Sequence, residues 1–267
     1  MTYFRNILLI ACSIGLVLLF GGFGSLITSS EMEPDRFQDE NELIEGAWEL
    51  TQIRGESAKD LNIRMVKIIS GGYFSFAFFN DETQQFFSAG GGTYSYSNGR
   101  YTEHIEFHTI NPEFSGTSIH FEAEFQDNKW IHTGNINGEP LEEVYERIDQ
   151  GAGLDHVGSW EIFRLSNEGG KMVPQQKGMR TIKLLSGSRF QWATWDERKG
   201  EFIGTGGGTY DTQEGYYTEN IEFFSRDSIR VGKSITFGCD IKGNTWHHEE
   251  YAGSRGLQIN EIWIRMQ

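Results

Sequence analysis

Residues 90–107 read GGGTYSYSNGRYTEHIEF, and 116 positions later residues 206–223 read GGGTYDTQEGYYTENIEF. Each copy opens on a glycine triplet, alternates, turns and alternates again. Alternation with a period of two is the pattern of a strand with one buried face. Asn98-Gly99 suits a type I′ turn, whose twist matches that of the flanking strands. The same hairpin is therefore written twice, one domain length apart.

Carried outward without gaps, Val66–Gly134 aligns with Ile182–Glu250 with 25 identities in 69 positions. Gly116–Phe121 matches Gly232–Phe237, and Trp130 and His132 match Trp246 and His248. The ends match at slightly different offsets. Gly46-Ala47-Trp48-Glu49 answers Gly158-Ser159-Trp160-Glu161, and Glu143–Arg147 answers Glu261–Arg265. Units of about 105–110 residues are domains, too long for solenoid repeats. The expected division is 46–149 and 157–267, joined by a short glycine-containing link.

Each unit reads as a meander of eight strands. In the first they are Trp48–Arg54, Ile63–Ser70, Tyr73–Phe79, Phe86–Tyr96, Arg100–Thr109, Thr117–Phe125, Lys129–Gly134 and Leu141–Asp149. Tyr101, Glu103, Ile105 and Phe107 share one face, with Thr102, His104, Glu106 and His108 on the other. One apolar and one polar face suit an antiparallel sheet, and closure into an up-and-down barrel removes its exposed edges. The expectation is all-β: two tandem eight-stranded antiparallel barrels after an N-terminal hydrophobic helix. A single larger barrel built from both repeats is the alternative. It is the less favoured because each repeat carries its own Gly-x-Trp and its own closing Arg.

Composition narrows the function. The chain has 23 Lys and Arg against 38 Asp and Glu, a net charge of −15, which argues against nucleic acid. The excess is uneven: 46–149 holds 7 basic and 16 acidic residues, whereas 157–267 holds 14 of each. Identical scaffolds with different surfaces suggest different jobs, one solvating and one docking. Two cysteines exclude a disulfide scaffold or a multi-cysteine metal site.

Arg5 precedes an uncharged run of 21 residues, Ile7–Ile27, followed by Glu31, Glu33 and Asp35. As a helix the run matches the ~30 Å hydrocarbon core, and its flanks orient the bulk of the protein outward. Residues 1–27 read as an uncleaved membrane anchor or a cleaved signal peptide. Leu9-Ile10-Ala11-Cys12 adds a lipoprotein signal as a third reading. Residues 28–45 form an acidic linker. The expected location is the cell envelope outside the cytoplasm, anchored or secreted.

A Gly-x-Trp on the first strand and an Arg on the last, occurring twice, resemble the lipocalin and wider calycin signature. In tandem, with GGGTY and YTExIEF, they look like the uncharacterised lipocalin-like domains of bacterial exported proteins. The resemblance implies that Arg147 packs over Trp48 and Arg265 over Trp160, beside Gly46 and Gly158, at the closed end of each barrel. It further implies a small hydrophobic ligand in the interior. The units are shorter than typical lipocalins and lack the helix before the last strand, which favours a narrow barrel.

Candidate ligand-lining residues are Phe76, Phe78, Tyr94, Tyr101, Glu103, Phe121, Trp130 and His132. Their counterparts are Trp192, Thr194, Tyr210, Tyr217, Glu219, Phe237, Trp246 and His248. Glu103 and Glu219 lie among apolar neighbours and must be paired, hydrogen-bonded or neutral. The readings are a network with Arg147, Glu143 and a Tyr, a polar anchor for ligand, or a general acid or base. His132 and His248, each beside a Trp, read as core residues or as contacts to a ligand or haem. His104, Glu106 and His108 form a row that alternating strand residues can present to a metal, but the second unit has Asn220, Glu222 and Phe224 there. Cys239 replaces Ala123 on an apolar face and reads as an inert buried thiol. Gly204–Tyr210 lacks the G-K-[ST] ending of a phosphate loop. The expectation is a non-catalytic binder of a small hydrophobic molecule, without cofactor or metal. A structural or protein-interaction module of the envelope is the alternative.

Overall fold

The computed structural model describes residues 43–266 apart from 137, 152, 168 and 251–258. The apolar run and most of the acidic linker, with the helix expected there, lie outside the described residues. Among the described residues no helix is long and apolar enough to cross a membrane.

The strands of the first repeat are β1 (Gly46–Ile53), β2 (Glu56–Ser57), β3 (Arg64–Ser70), β4 (Tyr73–Asn80), β5 (Gln85–Ser97), β6 (Arg100–His108), β7 (Ser118–Gln126), β8 (Lys129–Ile136) and β9 (Glu139–Asp149). Those of the second are β10 (Gly158–Ser166), β11 (Met172–Pro174), β12 (Met179–Leu185), β13 (Arg189–Asp196), β14 (Glu201–Gln213), β15 (Tyr216–Phe224), β16 (Ser234–Lys242), β17 (Thr245–Glu250) and β18 (Asn260–Arg265). All pairings are antiparallel; leaving aside β2 and β11, they join chain neighbours, and β1 also pairs with β9 and β10 with β18. The chain thus forms two closed eight-stranded barrels, with β2 and β11 as short hairpin additions to β1 and β10. The single large barrel is excluded, because each repeat closes on itself.

The hairpin of residues 90–107 forms the β5–β6 ladder. Asn98 and Gly99 both have positive φ, 51° and 75°, as a type I′ turn requires. The glycine triplet has a steric cause. A side-chain carbon at Gly92 would lie 2.0 Å from the His104 carbonyl oxygen, and one at Gly208 2.0 Å from that of Asn220. These close approaches accompany a β-bulge: Gly92 pairs with Ile105 but Gly91 with Phe107, leaving Glu106 as the extra residue. Gly207, Gly208, Ile221 and Phe223 repeat the arrangement around Glu222.

The bulge reverses the faces and corrects the simple alternation. Tyr101 and Ile105 point into barrel 1, but Phe107 joins a separate cluster between the barrels. His108 turns toward Phe76 and Phe114, so the expected row of His104, Glu106 and His108 on one face does not exist.

The barrels pack through the outer faces of β3–β6 and β12–β15 in reciprocal fashion. Phe79 meets Phe223 with ring centres 5.0 Å apart, and Phe107 meets Trp195 at 4.9 Å. The bulged glutamates reach across: Arg64 to Glu222 at 3.3 Å and Arg180 to Glu106 at 2.6 Å. Ser75 donates to the Gln191 side-chain carbonyl at 3.0 Å in the buried middle. Asp149, at the end of β9, accepts from the Gly187 and Ser188 amides at 3.0 Å each and so ties barrel 1 to the β12–β13 turn.

Candidate functional site

One end of each barrel is closed by the paired Trp and Arg. Trp48 and Arg147 are register partners, and the Arg147 guanidinium lies 4.0 Å from the Trp48 ring centre. Arg147 also donates to the carbonyls of Leu43 and Glu45, the latter at 2.8 Å. In barrel 2 Arg265 lies 4.2 Å from Trp160 and donates to Asp155 and Val157. A partly desolvated contact of this kind contributes about 0.5–2 kcal/mol.

Above that plug each barrel buries an ion pair. Lys67 Nζ lies 2.8 Å from Glu103 Oε1, and Lys183 Nζ 2.8 Å from Glu219 Oε1, with all four side chains at most 6% exposed. This corrects the expected pairing of Glu103 with Arg147. Arg147 is spent on the Trp48 ring and the carbonyls at the barrel end, while Lys67 rises from the inward face of β3 between Met65 and Ile69. Each ammonium sits in an aromatic cage. Lys67 is 5.0 Å from Tyr145 and 5.3 Å from Trp130, and Lys183 is 4.8 Å from Trp263 and 5.3 Å from Trp246.

Beside the lysine each barrel holds a His–Glu pair. Burial and the adjacent Lys67 push His132 below the usual imidazole range, and burial and Lys183 do the same to His248. Burial opposes ionisation of Glu143, but its bond to His132 and the charge of Lys67 bring it down to about 2. Glu261 is lowered in the same way against the same burial. Each pair is therefore a neutral imidazole donating to a carboxylate. In barrel 1 the donor is His132 Nε2, and Tyr145 adds a bond to Glu143 at 2.7 Å. In barrel 2 it is His248 Nδ1, 3.2 Å from Glu261, which also accepts from the Trp263 indole at 2.9 Å. The opposite nitrogens, His132 Nδ1 and His248 Nε2, are buried acceptors without a hydrogen-bond partner among the described residues.

The repeats differ in what stands over this shared floor. Barrel 1 has Met65 and Phe78 as cross-strand partners where barrel 2 has Thr181 and Thr194. Phe125 becomes Ile241, and Phe114, packed on the barrel-1 core, becomes Arg230. With the shorter Thr181, Thr194 and Ile241, barrel 2 holds a cavity of about 410 Å³. That lies within the ~300–1,000 Å³ of small-molecule sites. Its lining includes Ile162, Ile221, Phe224 and Phe237 together with Lys183, Glu219, His248, Glu261 and Trp263. Thr181 and Thr194 hydroxyls bond each other at 2.9 Å, and Gln175 donates to Thr181 at 2.6 Å.

Of the expected lining residues, Trp192, Thr194, Glu219, Phe237 and His248 border this cavity. Tyr210, Tyr217 and Trp246 do not. Tyr210 donates to the Ser186 carbonyl, and Tyr217 and Trp246 pack under His248. In barrel 1 Phe76, Tyr101, Glu103, Phe121, Trp130 and His132 are buried in core packing, and Tyr94 is half-buried beside Glu45. Outside the barrel His104 bonds Ser118 and His120 bonds Thr102. Cys239 is half-buried, and burial pushes its thiol up.

Sequence reasoning missed Lys67, Lys183, Thr181, Trp263 and Arg230. A signal existed for the lysines: VKIIS and IKLLS put the same cation in two otherwise apolar strands.

A family model described as a domain of unknown function (DUF4488) matches residues 43–153, which comprise barrel 1 and the start of the link. No curated protein matches the chain. Among solved structures, it is similar to the uncharacterized protein YLR301w of Saccharomyces cerevisiae, at 10% identity and a TM-score of 0.43, over 83% of this chain and 98% of that one. It is also similar to transferrin binding protein B of Haemophilus parasuis, at 10% identity and a TM-score of 0.23, over 74% of this chain and 52% of that one.

Proposed function

We propose that the protein is a non-catalytic carrier in which barrel 2 holds one small amphipathic molecule and barrel 1 serves as its structural partner. The observation that carries this reading is the 410 Å³ cavity, which lies where the repeats diverge. A shared fold does not imply a shared function, and Thr181, Thr194 and Arg230 in place of Met65, Phe78 and Phe114 support different roles for the two barrels. The long apolar run followed by acidic residues supports a place outside the cytoplasm, tethered or secreted.

Native mass spectrometry of the purified protein, followed by organic extraction, tests the reading. A co-purifying small molecule is expected, and dodecanol is expected to change the fluorescence of Trp192 and Trp263. An empty mass with no fluorescence response would overturn the carrier and leave both barrels as structural modules.

A further inference from the structure

We infer that the protein pairs with a second copy of itself through the barrel ends opposite the Trp–Arg plugs, the acidic rim of barrel 1 in each copy seating on the basic rim of barrel 2 in the other. This goes beyond the carrier reading and does not depend on it.

Both barrels present that end to the same side, because the contacts between them join like ends. At the plugged ends Ser70 donates to the Leu185 carbonyl, and Ser159 donates to the Gly71 carbonyl, each at 2.9 Å. At the opposite ends Phe79 packs on Phe223, and Gly200 of the β13–β14 turn lies beside Ser115 of the β6–β7 loop. The barrels therefore stand side by side in the same sense, and their two rims form one face. The rims carry opposite charge. Residues 54–63, 80–84 and 109–117 of barrel 1 hold 5 acidic and 2 basic side chains. Residues 166–178, 196–200 and 225–233 of barrel 2 hold 4 acidic and 7 basic. The change falls on matched positions: at the repeat offset of 116, Glu82 becomes Arg198, Ile110 becomes Arg226 and Thr117 becomes Lys233. Glu82, Arg198, Arg226 and Lys233 are all exposed. Each rim also shows water an isoleucine, Ile110 at 37% exposure and Ile229 at 71%.

This pattern selects the partner. A flat anionic lipid surface would attract the rim of barrel 2 and repel the rim of barrel 1 beside it. A second copy matches both, when it is turned about a two-fold axis that lies in the face and runs perpendicular to the line joining the barrels. Each acidic rim then meets a basic one, which is electrostatic complementarity of the kind that fixes register between partners. The contact is isologous, so every residue in it is used twice. It also sets barrel 1 of one copy over the barrel-2 cavity of the other, whose exposed lining residues Gln176 and Arg230 belong to the basic rim.

The test is sedimentation velocity of the full-length protein and of two charge reversals at exposed positions, Arg226→Glu with Lys233→Glu and Glu82→Lys with Glu113→Lys, with circular dichroism as the check on folding. A dimer is expected at about 0.1 M salt. It should weaken at least about tenfold at about 1 M, where the Debye length has fallen from about 10 Å to about 3 Å. Each reversal should weaken it about a hundredfold, since both substitutions act at two contacts. An equimolar mixture of the two variants should dimerise again, because one then carries two acidic rims and the other two basic ones. A monomer at about 0.1 M salt, or folded variants that do not recover on mixing, would overturn the inference. So would a dimer indifferent to salt and to both reversals, which would belong to another surface such as the apolar run 7–27. Recruitment of a monomer to phosphatidylglycerol vesicles, lost in Arg226→Glu with Lys233→Glu, would assign the basic rim to a lipid surface instead. A monomer that binds dodecanol keeps the carrier and loses the dimer; a dimer that binds none does the reverse.

Discussion

Thr194→Phe installs in barrel 2 the residue that barrel 1 carries at Phe78, and it should close the cavity. Geometry says that the ring fits. Phe78 lies edge-on to Phe76 with centres 5.9 Å apart, and Trp192 stands beside Thr194 at the position corresponding to Phe76. Among the described residues the one side-chain hydrogen bond lost is that between Thr194 and Thr181, and Thr181 keeps its bond from Gln175. Phenylalanine brings about four more side-chain heavy atoms than threonine and displaces a similar number of ligand methylenes, each worth about 0.8 kcal/mol on burial. The loss is about 3 kcal/mol, which weakens dodecanol binding about two-hundredfold. Tryptophan fluorescence titration measures it, with circular dichroism as the check on folding. Phe78→Thr is the control. It should destabilise barrel 1 by about 2–3 kcal/mol through lost packing, while the dodecanol affinity stays within twofold. A folded Thr194→Phe protein that binds dodecanol as tightly as the parent would refute the assignment of the ligand to this cavity.

Other perturbations address the floor and the closure. Lys67→Met removes the cation that pairs with buried Glu103 and should cost about 3–5 kcal/mol, whereas Lys67→Met with Glu103→Leu should recover most of it; urea unfolding of both distinguishes a buried pair from two independent groups. Arg147→Ala removes the contact with Trp48 and two hydrogen bonds to carbonyls. A loss of about 2 kcal/mol is expected, and an unchanged melting temperature would show that the barrel closes without it. Stability should also depend on pH in a defined direction. His132 and His248 are lowered in the fold, so below an unfolded pKa of about 6.5 only the unfolded chain takes up their protons. Their stabilisation is complete above that pH and falls as pH drops, at up to about 1.4 kcal/mol per pH unit for each. Glu143 adds a second loss between about 4.5 and about 2. Urea midpoints that stay flat from about pH 7 to 5 would contradict neutral buried imidazoles.

The barrel interface gives the two copies unequal roles through common strands. β12 and β13 present Thr181, Lys183, Trp192 and Thr194 to the cavity, and Ile182, Leu184, Ala193 and Trp195 to barrel 1. The wall of the cavity is therefore backed by a packed apolar layer, a support for a preformed site that a lone barrel would lack.

Much of this was legible in the sequence. The repeat, the period of two and the Asn98-Gly99 turn specify antiparallel meanders of eight main strands, because strand faces and tight turns are set by neighbours in the chain. Closure into two barrels followed from finding a first-strand Trp and a last-strand Arg in each repeat. Three features lay beyond it. The bulge at Glu106 turns Phe107 outward and His108 inward, and a register shift belongs to a pair of strands, not to either one. Glu103 takes Lys67 as its partner and not Arg147, because depth along the barrel axis decides which charges meet. The cavity at Thr181 and Thr194 could not be foreseen, because free volume is what remains after side chains from eight strands are summed. Alternation names the residues that face inward; only the closed barrel decides how much space they leave.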